Sequence, residues 1–196
     1  MNALTSVLNA ARALHASHSK LHAFAPWPDD LTPANLPSRP LPASDLVANT
    51  HLTGVDMTQP LIDAVRATAG FANWKHTYRE DEVGADFLAR YGYYELFGPT
   101  GHFRTTKLRG YIAYWGSGLH YDWHSHEAEE IYLCLSGNAR FLCRNNGTEH
   151  MADLSPGDTR AHTSWQTHAM TTAHQPILTF VLWRGTGLAG LPLMAT

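Results

Sequence analysis

Cysteine is almost missing from this chain: Cys134 and Cys143 are the only two among 196 residues. They form no C-x-x-C pair, which excludes a disulfide-stapled scaffold or a cysteine-rich zinc module and suits a reducing compartment. Both read as small buried hydrophobes. Because they flank the turn Ser136-Gly137-Asn138, they are expected on neighbouring strands. Charge is also sparse, at 16% of residues with a net of −3, and no basic stripe runs along the chain. Nucleic acid is therefore not an expected partner. No apolar run reaches ~18 residues, so neither a transmembrane helix nor a membrane partner is expected. The stretch 1–22 lacks the basic flank and apolar core of a signal peptide, so the expected location is cytoplasmic. Hydrophobic residues make up 44% of the chain, enough for a globular core without covalent staples.

Histidine, in contrast, is abundant: 13 residues, against 14 Lys and Arg together. Such a count prompts a search for metal-ligand spacing. The first half of the chain reads as helical. Leu8, Ala11, Leu14 and His18 recur at helical spacing within 5–24, Leu61, Val65 and Ala69 mark a short helix after Pro60, and a third helix fits 82–91. Six prolines between Pro26 and Pro42 break any helix there, leaving a surface connector. After Gly101 the text changes to short aromatic and β-branched runs at 108–115, 119–124, 129–135, 139–145, 168–172 and 177–184, with turn residues between them. This is the signature of an all-β sandwich or barrel. The expected organisation is a helical extension over 1–100 and a β-barrel over 101–196, read together as one domain. The extension is expected to cover an open end of the barrel, with its proline-rich stretch either a lid over a pocket or a passive strap.

One segment carries chemistry. His124 and His126 lie two apart on a predicted strand, so their imidazoles project to one face. Glu130 starts the next strand and shares a face with Tyr132 and Cys134, which aims a carboxylate into a barrel interior. A charge there needs a partner or a metal. A distant fourth ligand would close the set; His168 is the candidate and His162 the alternative. Imidazoles with one carboxylate suit a single divalent transition metal, iron, zinc, manganese or cobalt, with a position left open for substrate.

These residues also carry a resemblance. Gly118, five residues, His124-Ser-His126, three residues, Glu130, six residues and Gly137 is similar at every position to the first cupin motif. The second motif is kept at Gly157 and His168 and departs at Thr163, Trp165 and Thr172. The resemblance implies a mainly β fold, an antiparallel jelly-roll (cupin) barrel, with a metal held by His124, His126, Glu130 and His168. Finer text resembles the cupin-type dimethylsulfoniopropionate (DMSP) lyases, which split DMSP into dimethyl sulfide and acrylate. It includes Tyr121-x-Trp123-His-x-His-x-Ala-Glu-Glu130-x-Tyr132, Gln166-x-His168-Ala-Met-Thr and Leu182-Trp183-Arg184-Gly. This implies Tyr132 as catalytic base and Tyr121 and Trp183 as active-site aromatics.

The chemistry agrees with those residue types. DMSP is a zwitterion, and its elimination needs a stabilised carboxylate, a base at the α-carbon and a site for a sulfonium. A metal supplies the first, and a phenol beside a cation is acidified towards the second. A sulfonium accepts no hydrogen bond, so aromatic faces such as Tyr121, Trp123, Trp165 and Trp183 are its natural receptors. The candidate catalytic residues are thus Tyr132 and Tyr121, and the candidate substrate-binding residues Tyr121, Tyr132, Trp165 and Trp183. Two phases remain to be placed: Tyr121 reaches the ligand face only at a bulge or strand end, and Trp123 is expected to face outward. His120 is expected at the rim, and His102, His150 and His174 on the surface. The rival functions are an iron-dependent cupin dioxygenase, a non-catalytic small-molecule sensor, and a sugar-acid isomerase.

Overall fold

The computed structural model describes residues 3–194. Helices come first: α1 (Thr5–Ser17), α2 (Ser19–Phe24), then strand β1 (Thr32–Pro33), α3 (Pro42–Asn49), α4 (Gln59–Thr68), α5 (Glu80–Val83) and α6 (Ala85–Arg90). Strands follow: β2 (Tyr91–Gly98), β3 (Phe103–Arg104), β4 (Arg109–Trp115), β5 (His120–Ser125), β6 (Glu129–Gly137), β7 (Ala139–Asn145) and β8 (Thr148–Leu154). The last are β9 (Thr159–His162), β10 (His168–Thr171), β11 (Ile177–Arg184) and β12 (Leu193–Met194). They form a seven-stranded sheet, β1-β3-β2-β4-β11-β6-β9, and a five-stranded sheet, β12-β5-β10-β7-β8. The two sheets make a mainly β, cupin-type barrel.

The larger sheet is apolar on both faces. Tyr111, Ala113, Trp115, Tyr132, Cys134, Val181 and Trp183 point inward, into one cluster with Tyr121, Phe141 and Met170 of the other sheet. The alternate residues Ile112, Tyr114, Leu133, Leu135, Phe180 and Leu182 belong to a second cluster with Val7, Ala11, Leu14, Val47, Leu61 and Val65 of the helices. Each such buried side chain contributes roughly 1.5–3 kcal/mol. Helices α1, α3 and α4 therefore cover the outer face of the sheet, where the alternation demands an apolar partner, while Tyr78 and Phe87, beside α5 and within α6, pack into the inner cluster. The proline-rich stretch follows them: β1 pairs with β3, and the Trp27 ring packs 4.9 Å from that of Phe97.

Several sequence boundaries shift for local reasons. The first helix breaks at His18, which is extended at ψ 107° and whose imidazole N–H donates to the Gly157 carbonyl at 3.1 Å. The third breaks at Gly84, at φ 83°. Pro42 opens α3, since the first turn of a helix tolerates proline. Residues 91–98 form β2, so the sheet draws on residues before 101; Gly92, the glycine directly after the expected third helix, lies within the strand. Cys134 and Cys143 are buried and free, but on β6 and β7 they lie in opposite sheets, because the turn between them crosses from one sheet to the other. Among the described residues no helix is long and apolar enough to cross a membrane.

That crossing turn depends on Gly137. Its φ is 78°, and a Cβ there would lie 1.8 Å from the Pro176 carbonyl oxygen. Gly137→Ala is expected to cost about 2 kcal/mol or more, read as a lower urea midpoint at unchanged slope. An unchanged midpoint would contradict this account of the turn.

Candidate active site and metal centre

The site forms where β5 and β10 of one sheet face β4, β6 and β11 of the other. Glu130 is completely buried at the start of β6. Its two oxygens have different partners. Oε1 accepts hydrogen bonds from the Tyr111 hydroxyl at 3.0 Å and the Trp183 indole N–H at 2.7 Å. Oε2 faces Nε2 of His126 and Nε2 of His168, each at 3.2 Å. Donor atoms of His126, Glu130 and His168 all lie within 4.8 Å of one another.

The imidazoles are set by their far nitrogens. Nδ1–H of His124 donates to the Asp122 carbonyl at 2.8 Å, that of His126 to Ala128 at 2.9 Å, and that of His168 to Gln166 at 2.8 Å. A carbonyl only accepts, so each Nδ1 carries a proton and each ring turns its Nε2 inward. This is the usual orientation of a metal-binding histidine. Nε2 of His168 is buried and makes no hydrogen bond. The inward nitrogens of His126 and His168 and one Glu130 oxygen, converging in a buried site, fit a borderline divalent cation once His126 has given up its proton.

The His124 ring lies 4.1 Å from that of His168, but His124 is outside the converging triad. His162, the alternative ligand, stacks flat on His168 at 4.1 Å and 11° and supplies no donor to the triad. Tyr121 reaches the cavity because β5 bulges. His124 pairs with His168 and Tyr121 with Met170, three residues on one strand against two on the other. The extra residue rotates Tyr121 onto the ligand side, where its ring stacks on His124 at 4.0 Å. Tyr132 is buried and lines the same cavity, and Trp183 stacks on His126 at 4.1 Å.

Trp165 does not join them. It is 54% exposed at φ 59°, outside the cavity lining, because the turn leading to β10 points it to solvent. Trp123 faces away from the ligands and stacks under Arg144 at 3.9 Å. His120 is exposed and bonded to Thr171, and His150 and His174 are exposed. His102 is buried, not superficial, and accepts the Asn73 N–H at 3.0 Å. The cavity also recruits Thr77, Tyr91, Tyr93, Arg109, Tyr111, Trp115, Leu191 and Pro192. For Tyr111 and Trp115 a signal existed in the alternation of β4, but bulky residues on both faces hid which parity points inward.

Electrostatics follow from burial. Desolvation works against the Glu130 charge, yet His126 and His168 hold its carboxyl well below the usual range. Burial pulls His126 down, but the Glu130 carboxylate offsets this and leaves its pKa above 6.5. Burial, then His168, depresses His124, and the same causes bring His162 to about 3. Burial, then Glu130, raises the Tyr132 phenol well above 10.

A buried cluster of histidines and one glutamate within a cupin-type barrel of two sheets is a candidate metal site. Residues 15–179 match the family model described as dimethylsulfoniopropionate lyase. The chain is 38% identical, over 93% of its length and 90% of the relative's, to dimethylsulfoniopropionate lyase DddQ of Ruegeria pomeroyi. Among solved structures, it is similar to one described with the DMSP lyases RdDddP and RnDddQII, at TM-score 0.93 and 48% identity, covering 99% of this chain and 98% of that one. The crystal structure of DddQ from Ruegeria pomeroyi matches at TM-score 0.91 and 35% identity, over 98% and 96% of the two chains. The chain belongs to the dimethylsulfoniopropionate lyase family.

Two outcomes follow for the metal centre. Trp183→Phe removes the hydrogen bond that holds Oε1 and is expected to weaken metal binding about 10- to 100-fold, measured by competition with a chromophoric chelator. His126 must lose its proton to bind a cation. Its pKa lies above 6.5, so apparent affinity should climb as pH rises through the region above 6.5. A pH-independent affinity would contradict the assigned His126–Glu130 contact.

Proposed function

We propose that this chain is a metal-dependent carbon–sulfur lyase that converts DMSP to dimethyl sulfide and acrylate by β-elimination. The observation that carries the reading is the placement of Tyr132, two residues along β6 from Glu130, in the same aromatic cavity as the donor cluster. His126, Glu130 and His168 would hold the cation, with His124 beside them as fourth ligand; iron, zinc, manganese and cobalt all suit this set. When bound, a divalent cation would draw charge from the substrate carboxylate and oppose the burial and the Glu130 charge that together keep the Tyr132 phenol protonated.

The remaining work falls to the protein. Tyr132, as phenolate, takes the proton from the carbon next to the carboxylate. The C–H electron pair becomes the Cα=Cβ bond, and the Cβ–S bond breaks with its pair passing to sulfur. Neutral dimethyl sulfide and acrylate result, and Tyr132 returns its proton to solvent. Tyr91, Trp115 and Tyr121 form a triangle of rings with centroids 5.4, 5.7 and 6.1 Å apart, offering their faces to the sulfonium. Cation–π attraction of this kind is worth about 2 kcal/mol in a desolvated site. Tyr121 is held for this role by its hydroxyl contact with Tyr78 at 2.9 Å and by stacking on His124. Trp183 serves the carboxylate of Glu130 and the ring of His126, so its contribution to substrate binding runs through the ligands.

Headspace gas chromatography of protein loaded in turn with each of the four metals, under nitrogen, tests the reading. Metal-dependent release of dimethyl sulfide is expected, with kcat lowered at least about 100-fold in Tyr132→Phe while metal content stays unchanged. No release with any metal would remove the lyase assignment, and release undiminished in Tyr132→Phe would remove Tyr132 as the base.

A further inference from the structure

Each of the three imidazoles at the candidate metal centre is backed by one flat ring. Tyr121 lies on His124 at 4.0 Å and 24°, Trp183 on His126 at 4.1 Å and 27°, and His162 on His168 at 4.1 Å and 11°. The first two rings also line the cavity, and Trp183 holds Glu130. His162 does neither. It supplies no donor to the triad, although it is only 2% exposed and sits opposite Glu130 where β6 pairs with β9. Buried polar groups are normally hydrogen-bonded. Neither Nδ1 nor Nε2 of His162 meets such a partner, so the ring acts through its face.

One turn builds this stack. β9 belongs to the larger sheet and β10 to the smaller. Between them the Thr163 N–H donates to the Gln166 side-chain oxygen at 3.2 Å and the Gln166 N–H to the Thr163 carbonyl at 3.0 Å. The Trp165 N–H donates to the His126 carbonyl at 2.8 Å, which ties the turn to a second ligand candidate. His162 and His168 thereby meet face to face from opposite sheets. His168 needs that backing. Its hydrogen bond from Nδ1–H to the Gln166 carbonyl fixes one point of the ring and not its tilt. The Nε2 lone pair lies in the ring plane, so the tilt decides whether it points to Oε2 of Glu130, 3.2 Å away.

We propose that His162 is a positioning residue of the metal centre: its ring, stacked on His168, holds that imidazole in the plane that turns Nε2 towards Glu130. The role is that of a partner behind a ligand, which fixes the ligand's orientation without touching the cation. It rests on the metal site of the function proposed above and not on the substrate. A flat ring without nitrogens should therefore replace His162, and a side chain without a ring should not.

Cobalt(II) serves as the probe. Its affinity, by competition with a chromophoric chelator, and the visible absorption of the cobalt-loaded protein are compared in the wild type, His162→Ala and His162→Phe. His162→Ala is expected to bind cobalt about 10- to 100-fold more weakly, with altered visible bands. His162→Phe is expected to restore most of the affinity and the wild-type bands. Affinity and bands unchanged in His162→Ala overturn the proposal. So does a His162→Phe variant as weak as His162→Ala when both melt close to the wild type, since a nitrogen and not the ring face would then matter. If His162→Ala does not fold, His162→Leu, bulky but without a flat ring, takes its place with the same expectations. A wild type that binds no cobalt removes the metal site and this role together. Cobalt binding without release of dimethyl sulfide fails the lyase reading alone, and the three-way comparison still decides the role of His162.

Discussion

The divided carboxylate of Glu130 is the constraint on which the rest of the site depends. A fully buried charge costs several kcal/mol unless it is compensated. Here Tyr111 on β4 and Trp183 on β11 hold one oxygen, His126 meets the other, and His168 stands 3.2 Å from it. Three of these partners belong to different strands and the fourth to the connection after β5, so both sheets must be in register for any of them to arrive. The fold is thereby tied to the site, and the buried, unbonded Nε2 of His168 suits that site to a cation.

Around that charge the cavity separates two kinds of recognition. Donor atoms and a carboxylate gather in one cluster, and the rings of Tyr91, Trp115 and Tyr121 gather in a second that meets it where Tyr121 stacks on His124. The one guanidinium in the lining, Arg109, is neutralised by Glu95 and engaged by two carbonyls, so it does not compete for a substrate carboxylate. A small zwitterion meets a matching polarity along such a cavity. Burial keeps the Tyr132 phenol protonated, and in the proposed reaction a bound cation would oppose it.

Much of this was legible in the sequence because strand parity is a strict rule. His124-x-His126 and the common face of Glu130 and Tyr132 need only a period of two, and β7 and β11 fall where alternation and turn residues put them. What was not legible depended on departures from that rule or on long-range packing. Tyr121 has the wrong phase on a regular strand and the right one only because β5 carries a bulge. β2 was missed because it is buried on both faces, so it shows no alternation, and its glycine imitates a helix stop. Trp165 looked like a cage residue by composition, but its turn sends it to solvent. The helices could not be placed from their own periodicity, which says that a face is apolar and not which face of the barrel receives it. The mouth of the cavity is formed by Leu191 and Pro192, in a glycine-rich tail with no periodic signal at all.

Metal-edge X-ray absorption on the loaded protein tests the central claim most directly. The account predicts a first shell dominated by imidazole nitrogens with one carboxylate oxygen from Glu130, and loss of that oxygen's contribution in Glu130→Ala. A shell of water and carboxylate oxygens without imidazole, or a wild-type spectrum unchanged by removing Glu130, would contradict it.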